Sequence, residues 1–499
     1  MKNTHSVPNF YVIEKSVHKE ISEIVKNSSL RVYNTLTRSK EVFQSIEPGK
    51  VRMYSCGPTV YSDAHIWNLR SYIFPDILKW LLLKIGYEDI RHIINITDVG
   101  HLTDDANDGQ DKMELSAQRR GETVWEISEK YAKRYFEDIK MLWIEFPEKF
   151  TKATDYIAAQ IEMVQGLEAK WYTYNTKDGI YFDTAKFPEY ADFARLDLEA
   201  LREWERVDFW DKRNKADFAL WKFSPENEKR QMEWESPWWV GFPGWHIECS
   251  AMISQELGDH IDIHTGGIDH IHVHHTNEIA QATCFHGKKP VNYWMHGEFL
   301  VLGEWKRIGK SEWNAITLST LIEKGSSPLA YRYLALTAHY RNFLNFSFES
   351  LKQAEKSYEK LKESIYNIHK TTPTPTPISS ESRKVIHSIM AKLLDDLGTA
   401  GALVDIRSLI WDKKISGYEK LAIISFFDEI LWLNLFDFRD IEARKQHISI
   451  PQDVLDLGEK RRNAKTQWNY GEADLLRKEI EVAGYNILDF QDRFEITKK

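Results

Sequence analysis

Met53–Asn68, MYSCGPTVYSDAHIWN, is the stretch on which the fold turns. A short apolar run with Val51, Met53 and Tyr54 reads as a buried strand, Val51–Cys56. Gly57 and Pro58 turn the chain. A helical apolar pattern then runs from Leu69 to Ile85, closed by Gly86 where a left-handed cap is favoured. Asp89–Thr97, DIRHIINIT, is a second strand rich in isoleucine. Strand, helix and strand in this order predict a right-handed parallel crossover in an α/β domain. In such a sheet ligands bind at the strand-to-helix junction, where free helix N–H groups face a phosphate. Cys56 ends the strand and His65 begins the helix, so the stretch reads as a nucleotide site beside a candidate metal ligand. Pro75 inside the helical pattern costs about 3 kcal/mol in a regular interior. A kink there, or a helix that starts near it, is expected.

Outward from this unit, residues 1–30 read as a polar, partly helical extension. Asp98–Glu114 is acidic, but Ala106 and Leu115 fall where a calcium loop needs oxygen ligands, so it reads as a solvated loop. Glu122–Phe146 is a charged helix. Residues 151–215 look like an insertion with a helix and a hairpin-like piece at Gly179–Asp183. The sheet is expected to resume with Asp217–Phe223, Ile261–His264 and Val291–Val301. After Ser311 the chain turns helical. Thr371–Ser380 (TTPTPTPISS) is a Pro/Thr-rich linker, and helices then run to about Leu435. A small terminal region carries the basic cluster Lys460, Arg461, Arg462 and Lys465.

The bulk numbers narrow the class. A chain of 499 residues with 42% hydrophobic content supports several cored domains. It has no apolar run of about 18 residues, which argues against a membrane span. The N-terminal stretch has no apolar signal region. Three scattered cysteines do not make a disulfide framework, so a reduced, cytoplasmic protein is expected. The net charge of −9 argues against bulk nucleic-acid binding, though not against a local basic face.

A second cluster lies downstream. GFPGWHIECS carries Cys249, and HTGGIDHIHVHHTNE carries His264, His270, His272, His274, His275 and Glu278. His274 and Glu278 are spaced i, i+4 and share a helix face. With Cys56 and Cys249 they would make a mixed sulfur, nitrogen and oxygen zinc set. Spacing alone does not separate that set from buried core cysteines. Leu302–Asn314, LGEWKRIGKSEWN, is either a solvated turn or a mobile loop that brings Lys310 onto a phosphate.

Taken together these motifs resemble the cysteinyl-tRNA synthetases, a class I aminoacyl-tRNA synthetase family. The matching segments are CGPTVYSDAHIWN, NITDVGHL, KADFALWK, GFPGWHIECSAM, DIHTGGIDHIHVHHTNEIAQ, NYWMHGEFL, RIGKS and LTAHYRNFLNFS. They keep the family's order over roughly residues 31–350. The resemblance implies a Rossmann-like catalytic domain at 31–320 with a connective insertion at about 115–215. It implies a helical stem-contact region at 321–370, a helical bundle at 381–440 and an anticodon-binding region at 441–499. By resemblance, zinc falls on Cys56, Cys249, His274 and Glu278. ATP, with Mg2+, falls on Gly57, Pro58, Thr59, His65, Asn68, Lys310 and Ser311. Of these, His65, Asn68 and Lys310 are the catalytic residues. Thr97, Trp245, His246 and Asp269 line the amino-acid pocket. The implied partners are L-cysteine, ATP and tRNA(Cys), and a monomer is expected.

The chain departs from the family pattern at its signatures. Trp67 stands where the first signature has glycine, and Arg307, Ile308 and Gly309 replace the start of the second. Trp239, Trp305 and Trp313 also stand where the family has or tolerates glycine, and Trp143, Trp171, Trp204 and Trp210 lie in turn-like contexts. The sequence leaves two readings. Either these are tryptophans and the chain is a catalytically impaired paralogue that binds zinc or tRNA, or several are glycines at TGA codons. Trp245 and Trp294 fit the family as tryptophans. A ligase joining cysteine to an amino sugar shares the core but lacks so long a C-terminal region.

Overall fold

The computed structural model describes residues 15–100, 112–196, 212–225, 229–302, 316–371, 373–447, 451–489 and 494–498. Five parallel strands form the central sheet: β1 Lys50–Ser55, β2 Asp89–Ile96, β3 Lys149–Lys152, β4 Ile261–Gly267 and β5 Val291–Gly297. Their order is β5-β4-β1-β2-β3. Tyr54 pairs with Ile93 on one side and His264 on the other. The chain steps from β1 out to β3, then returns to the other side of β1 for β4 and β5. The order therefore reverses between β1 and β4, where the carboxyl ends of parallel strands leave a crevice for ligands.

Helix α1 (Ile66–Ile85) links β1 to β2, and Gly86 caps it at φ 110°. It begins well before Pro75 and runs through it. Residues 72–78 are all buried, so packing on both flanks offsets the missing N–H. Helices α2 (Val124–Met141), α3 (Ile157–Ala169), α4 (Trp245–Leu257) and α5 (His274–His286) complete the catalytic part.

Four expectations need correction. Phe218–Phe223 does not rejoin the central sheet; it pairs with Gly179–Phe182 and Gly241–Pro243 in a separate antiparallel sheet that also holds Thr173–Asn175. Lys149–Lys152 (KFTK), which falls within the insertion expected at about 115–215 and not among the expected strands, is the edge strand β3; it is short and charged, as an edge tolerates. The run Val291–Val301 is interrupted after Gly297, and Leu300–Leu302 pairs instead with Leu344–Phe346. Asp98 is not solvated: it is buried and accepts from Thr154 N (2.9 Å) and Oγ1 (2.7 Å). Residues 101–111 of that stretch lie outside the described residues.

C-terminal to the sheet come α6 (Pro328–Leu336), α7 (Phe348–Lys370), α8 (Ser380–Leu394), α9 (Thr399–Trp411) and α10 (Gly417–Leu431). The chain divides into two compact units, the first ending at Leu435 and the second Phe436–Lys499. The second holds α11 (Gln452–Thr466), α12 (Tyr470–Val482) and a hairpin, Tyr485–Asp489 with Phe494–Lys498. Its core is Val454, Ile480, Ile487 and Ile496. No helix among the described residues is long and apolar enough to cross a membrane.

One buried acid makes stability pH-dependent. Burial, then the like charges of Asp63 and Glu137, raise the Asp138 carboxyl on α2 to about 7. Its unfolded value is about 4. The folded chain therefore keeps a proton that the unfolded chain has released. Stability falls as pH rises from about 4 through 7. Asp138→Asn should raise the melting temperature near pH 8 and change it little near pH 4, as paired thermal unfolding curves would show.

Candidate active site and metal centre

Four distant residues converge at the reversal point. Cys56 follows β1, Cys249 lies on α4, and His274 and Glu278 open α5. Their ligand atoms all lie within 4.8 Å of one another, and all four side chains are buried. The i, i+4 spacing does what the sequence suggested, with His274 Nε2 lying 2.8 Å from Glu278 Oε1. The two are in ion-pair contact, and both belong to the close-set group of ligand atoms. Two sulfurs, one imidazole and one carboxylate form a donor set suited to zinc.

Cys56, His264, His275 and Glu278 form a second close set. It shares Cys56 and Glu278 with the first, and its members also contact one another. His264 Nε2 lies 2.9 Å from Glu278 Oε2, and its ring stacks on Trp294 at 4.6 Å. His275 Nδ1 lies 2.7 Å from His296 Nε2, whose Nδ1 is 2.8 Å from Thr35 Oγ1. His275 Nε2 is 3.2 Å from Cys56 Sγ. His246 Nδ1 lies 3.0 Å from His274 Nδ1 and so orients its ring. These are the outer contacts that aim ligands at a metal. His264→Ala should therefore weaken zinc affinity about 10- to 100-fold by releasing Glu278, as competition with a chelating dye would measure. Gly266 permits the crowding, because a Cβ there would sit 2.7 Å from the His275 ring.

The electrostatics favour a cation. Burial, then the hydrogen bond with Cys249, pushes the Cys56 thiol well up. Burial also acts to raise Cys249, yet the hydrogen bond from Cys56 and the neighbouring His274 hold it at about 6. Against burial, His264 and His274 keep Glu278 well below the usual carboxylate range. A thiolate and a carboxylate therefore meet in one dry pocket.

The loop after β1 is stitched to β4 and to the end of β2. Cys56 N donates to Thr265 O (3.0 Å), Gly57 N to Asn95 Oδ1 (2.7 Å), Thr97 N to Pro58 O (3.0 Å) and Val60 N to Thr97 O (3.1 Å). Only glycine fits at 57, since a Cβ would lie 1.6 Å from Asn95 O. Gly57, Pro58 and Thr59 thus sit beside Thr97. Trp245 stacks on His274 at 4.4 Å. Asp269 lies in the exposed turn Ile268–His270 after β4.

His65 is the N-cap of α1, and its backbone N–H meets Asn68 Oδ1 at 3.3 Å. Burial lowers its imidazole to about 4, so it is neutral at pH 7. Its ring lies 4.2 Å from that of Trp67. Ile66 N donates to Ile316 O at 3.0 Å, and His65 bridges Thr317. Lys310 and Ser311 lie outside the described residues, as do Trp305 and Trp313.

Two neighbours escaped the sequence reading. Glu248 is buried beside Thr97, with one carboxyl oxygen unpartnered, and burial raises it well above the usual carboxylate range. Its signal was a charged residue inside an apolar helical run. His296 sits at the end of β5, in a strand that reads as core.

Comparison with known proteins agrees with this geometry. The family model for the class I tRNA synthetase (C) catalytic domain matches residues 42–356, which sets the class of the fold and site. A solved ternary complex of the agnB2 LeuRS of Agrobacterium radiobacter K84 shares the fold, with TM-score 0.57 at 11% identity, covering 86% of this chain and 88% of that one. Methionyl-tRNA synthetase of Mycobacterium tuberculosis gives TM-score 0.52 at 12% identity, covering 77% and 90%. A cysteine–tRNA ligase of Burkholderia lata is 42% identical, covering 92% of this chain and 95% of that protein. One from Treponema denticola is 41% identical, covering 92% and 98%. The chain belongs to the cysteine–tRNA ligase family, enzymes of the class I aminoacyl-tRNA synthetases.

Proposed function

We propose that the protein activates L-cysteine with ATP to cysteinyl-adenylate and transfers the cysteine to the 3′ end of tRNA(Cys). The observation that carries this reading is the buried convergence of Cys56, Cys249, His274 and Glu278 at the sheet's reversal point. Zinc held there by Cys56, Cys249, His274 and Glu278 would favour a substrate thiolate over a serine hydroxyl. A pocket that measured size alone would reject serine poorly, whereas one buried specific bond discriminates by about 10⁴ without editing.

The chain's own residues position the reactants. Asp269 offers a carboxylate to the substrate ammonium. Thr97, Trp245 and His246 bound the pocket. The substrate carboxylate attacks the α-phosphate, so no protein nucleophile is needed and catalysis rests on positioning and charge. Gly57, Pro58 and Thr59 form the floor beneath the Mg2+–ATP, with Asn68 at the helix start. His65 donates to the phosphate as a neutral imidazole, and Lys310 with Ser311 meets the departing pyrophosphate. The pairing of Ile316 and Thr317 with the start of α1 supports that partnership. The helical C-terminal region, with Lys460, Arg462 and Lys465 on its surface and Arg461 buried beneath them, holds the tRNA, and the enzyme works as a cytoplasmic monomer.

Trp67 beside His65 favours a second reading, a chain that binds zinc or tRNA and makes no adenylate. Cysteine-dependent ATP–pyrophosphate exchange separates the two. Exchange followed by charging of tRNA(Cys) is expected. Absence of exchange overturns the first reading, and exchange without charging points to a small-molecule acceptor.

A further inference from the structure

Ten described residues other than glycine have a positive φ, and four of them are tryptophan: Trp143 (57°), Trp171 (67°), Trp432 (50°) and Trp468 (59°). Tryptophan supplies only 18 of the 499 residues, so chance does not put it there. The left-handed region crowds a Cβ against the following carbonyl, and a bulky residue there is an outlier.

All four stand at the end of a helix, in the position glycine ordinarily fills. Trp143 N donates to Lys140 O (3.0 Å) while Ile144 N reaches Ile139 O (2.9 Å), closing α2. Trp171 N donates to Glu168 O (2.8 Å) and Tyr172 N to Leu167 O (3.0 Å), closing α3. Trp468 N donates to Lys465 O (3.0 Å) and Asn469 N to Ala464 O (2.9 Å), closing α11. Gly86 makes the same pair of bonds at the end of α1, to Leu83 O (3.2 Å) with Tyr87 N on Leu82 O (3.1 Å). Trp432 ends α10 with one bond to Asp428 O (2.7 Å), as Gly287 ends α5 with one to Thr283 O (2.7 Å). The rings do not explain the choice at two of the sites, since Trp171 and Trp468 are each 79% exposed. The tryptophans with evident packing roles behave differently. Trp221 and Trp294 are buried and Trp245 stacks on His274, and none of the three has a positive φ.

We propose that the polypeptide made in its source cell carries glycine at 143, 171, 432 and 468, at TGA codons translated as glycine. TGA differs from the tryptophan codon TGG only in the third base. A reading of TGA as tryptophan therefore converts glycine one way, at helix ends and turns. Positions 432 and 468 carry no signature motif, so the case rests on backbone conformation and not on family likeness. The same substitution at position 67 clears the ring that lies against His65, a consequence that rests on the proposed function.

Two measurements test this. The gene should read TGA at 143, 171, 432 and 468 and TGG at 221, 245 and 294, and peptide mass spectrometry of the protein from its source should show glycine at the four sites. TGG codons at those sites, or tryptophan in the peptides, overturn the proposal. In the chain expressed with tryptophan, Trp171→Gly and Trp468→Gly should each raise the melting temperature by about 2 °C, and a fall at both overturns the conformational argument. Trp67→Gly should raise ATP–pyrophosphate exchange. TGA codons together with a Trp67→Gly variant that stays inactive would leave this inference standing and overturn the proposed function. TGG codons with an active enzyme would do the reverse.

Discussion

Cys249→Ser is expected to leave the chain folded, with zinc below one equivalent and cysteine-dependent ATP–pyrophosphate exchange lower by about 10³-fold or more. The substitution preserves shape at a side chain only 1% exposed on α4. What it removes is the sulfur held at about 6, the more easily ionised of the two thiols. A hydroxyl stays protonated and binds zinc weakly, so the remaining three ligands share the charge alone. Selectivity should fall with rate, so the ratio of exchange with cysteine to exchange with serine is the sharper readout. Metal analysis and circular dichroism separate loss of zinc from loss of fold. Exchange at the unmodified rate with zinc absent would remove the metal from the account of specificity.

Arg332→Ala should cost about 3–5 kcal/mol of stability with no contact to any substrate. Arg332 on α6 is fully buried. Its Nη2 donates to Asp76 Oδ2 of α1 (2.6 Å), its Nη1 to Leu142 O just past α2 (3.0 Å) and its Nε to Leu431 O at the end of α10 (2.8 Å). One guanidinium on α6 thus ties together α1, the end of α2 and the end of α10. Removing it strands two buried carbonyls and leaves the buried Asp76 carboxylate without its charged donor, with the Glu145 N–H (3.2 Å) still in place. Arg332→Leu combined with Asp76→Leu should recover much of the loss, because replacing both members of a buried pair with apolar groups is often neutral. Thermal unfolding of the single and double variants decides it. A double variant no more stable than the single would show that the two carbonyl bonds matter more than the ion pair.

Local features were legible along the chain where the physics is local. The strand at Val51, the Gly86 cap and the isoleucine-rich second strand follow from periodicity and turn chemistry over a few residues, and each was found within a residue or two. Phe218–Phe223 and Lys149–Lys152 show where that stops. The first is apolar enough for the central sheet and the second too charged to look like a strand, yet the structure assigns them the other way round. Strand composition records burial, whereas the choice of partner depends on which edge the folded chain leaves open.

By itself the sequence determined the nucleotide-binding strand and helix, the candidate ligands and, by resemblance, the family. Only the tertiary structure brought His264, His274 and His275 together around Glu278. His264 and His274 flank its two carboxyl oxygens, His275 reaches Cys56 and His296, and His246 contacts the other ring nitrogen of His274. It also revealed Glu248 beside Thr97 and the left-handed backbone at four tryptophans. The reason is the same in each case. A residue's type and spacing constrain its own segment, but what a side chain faces, and the φ it must adopt to let the chain turn, are imposed by elements far away in sequence.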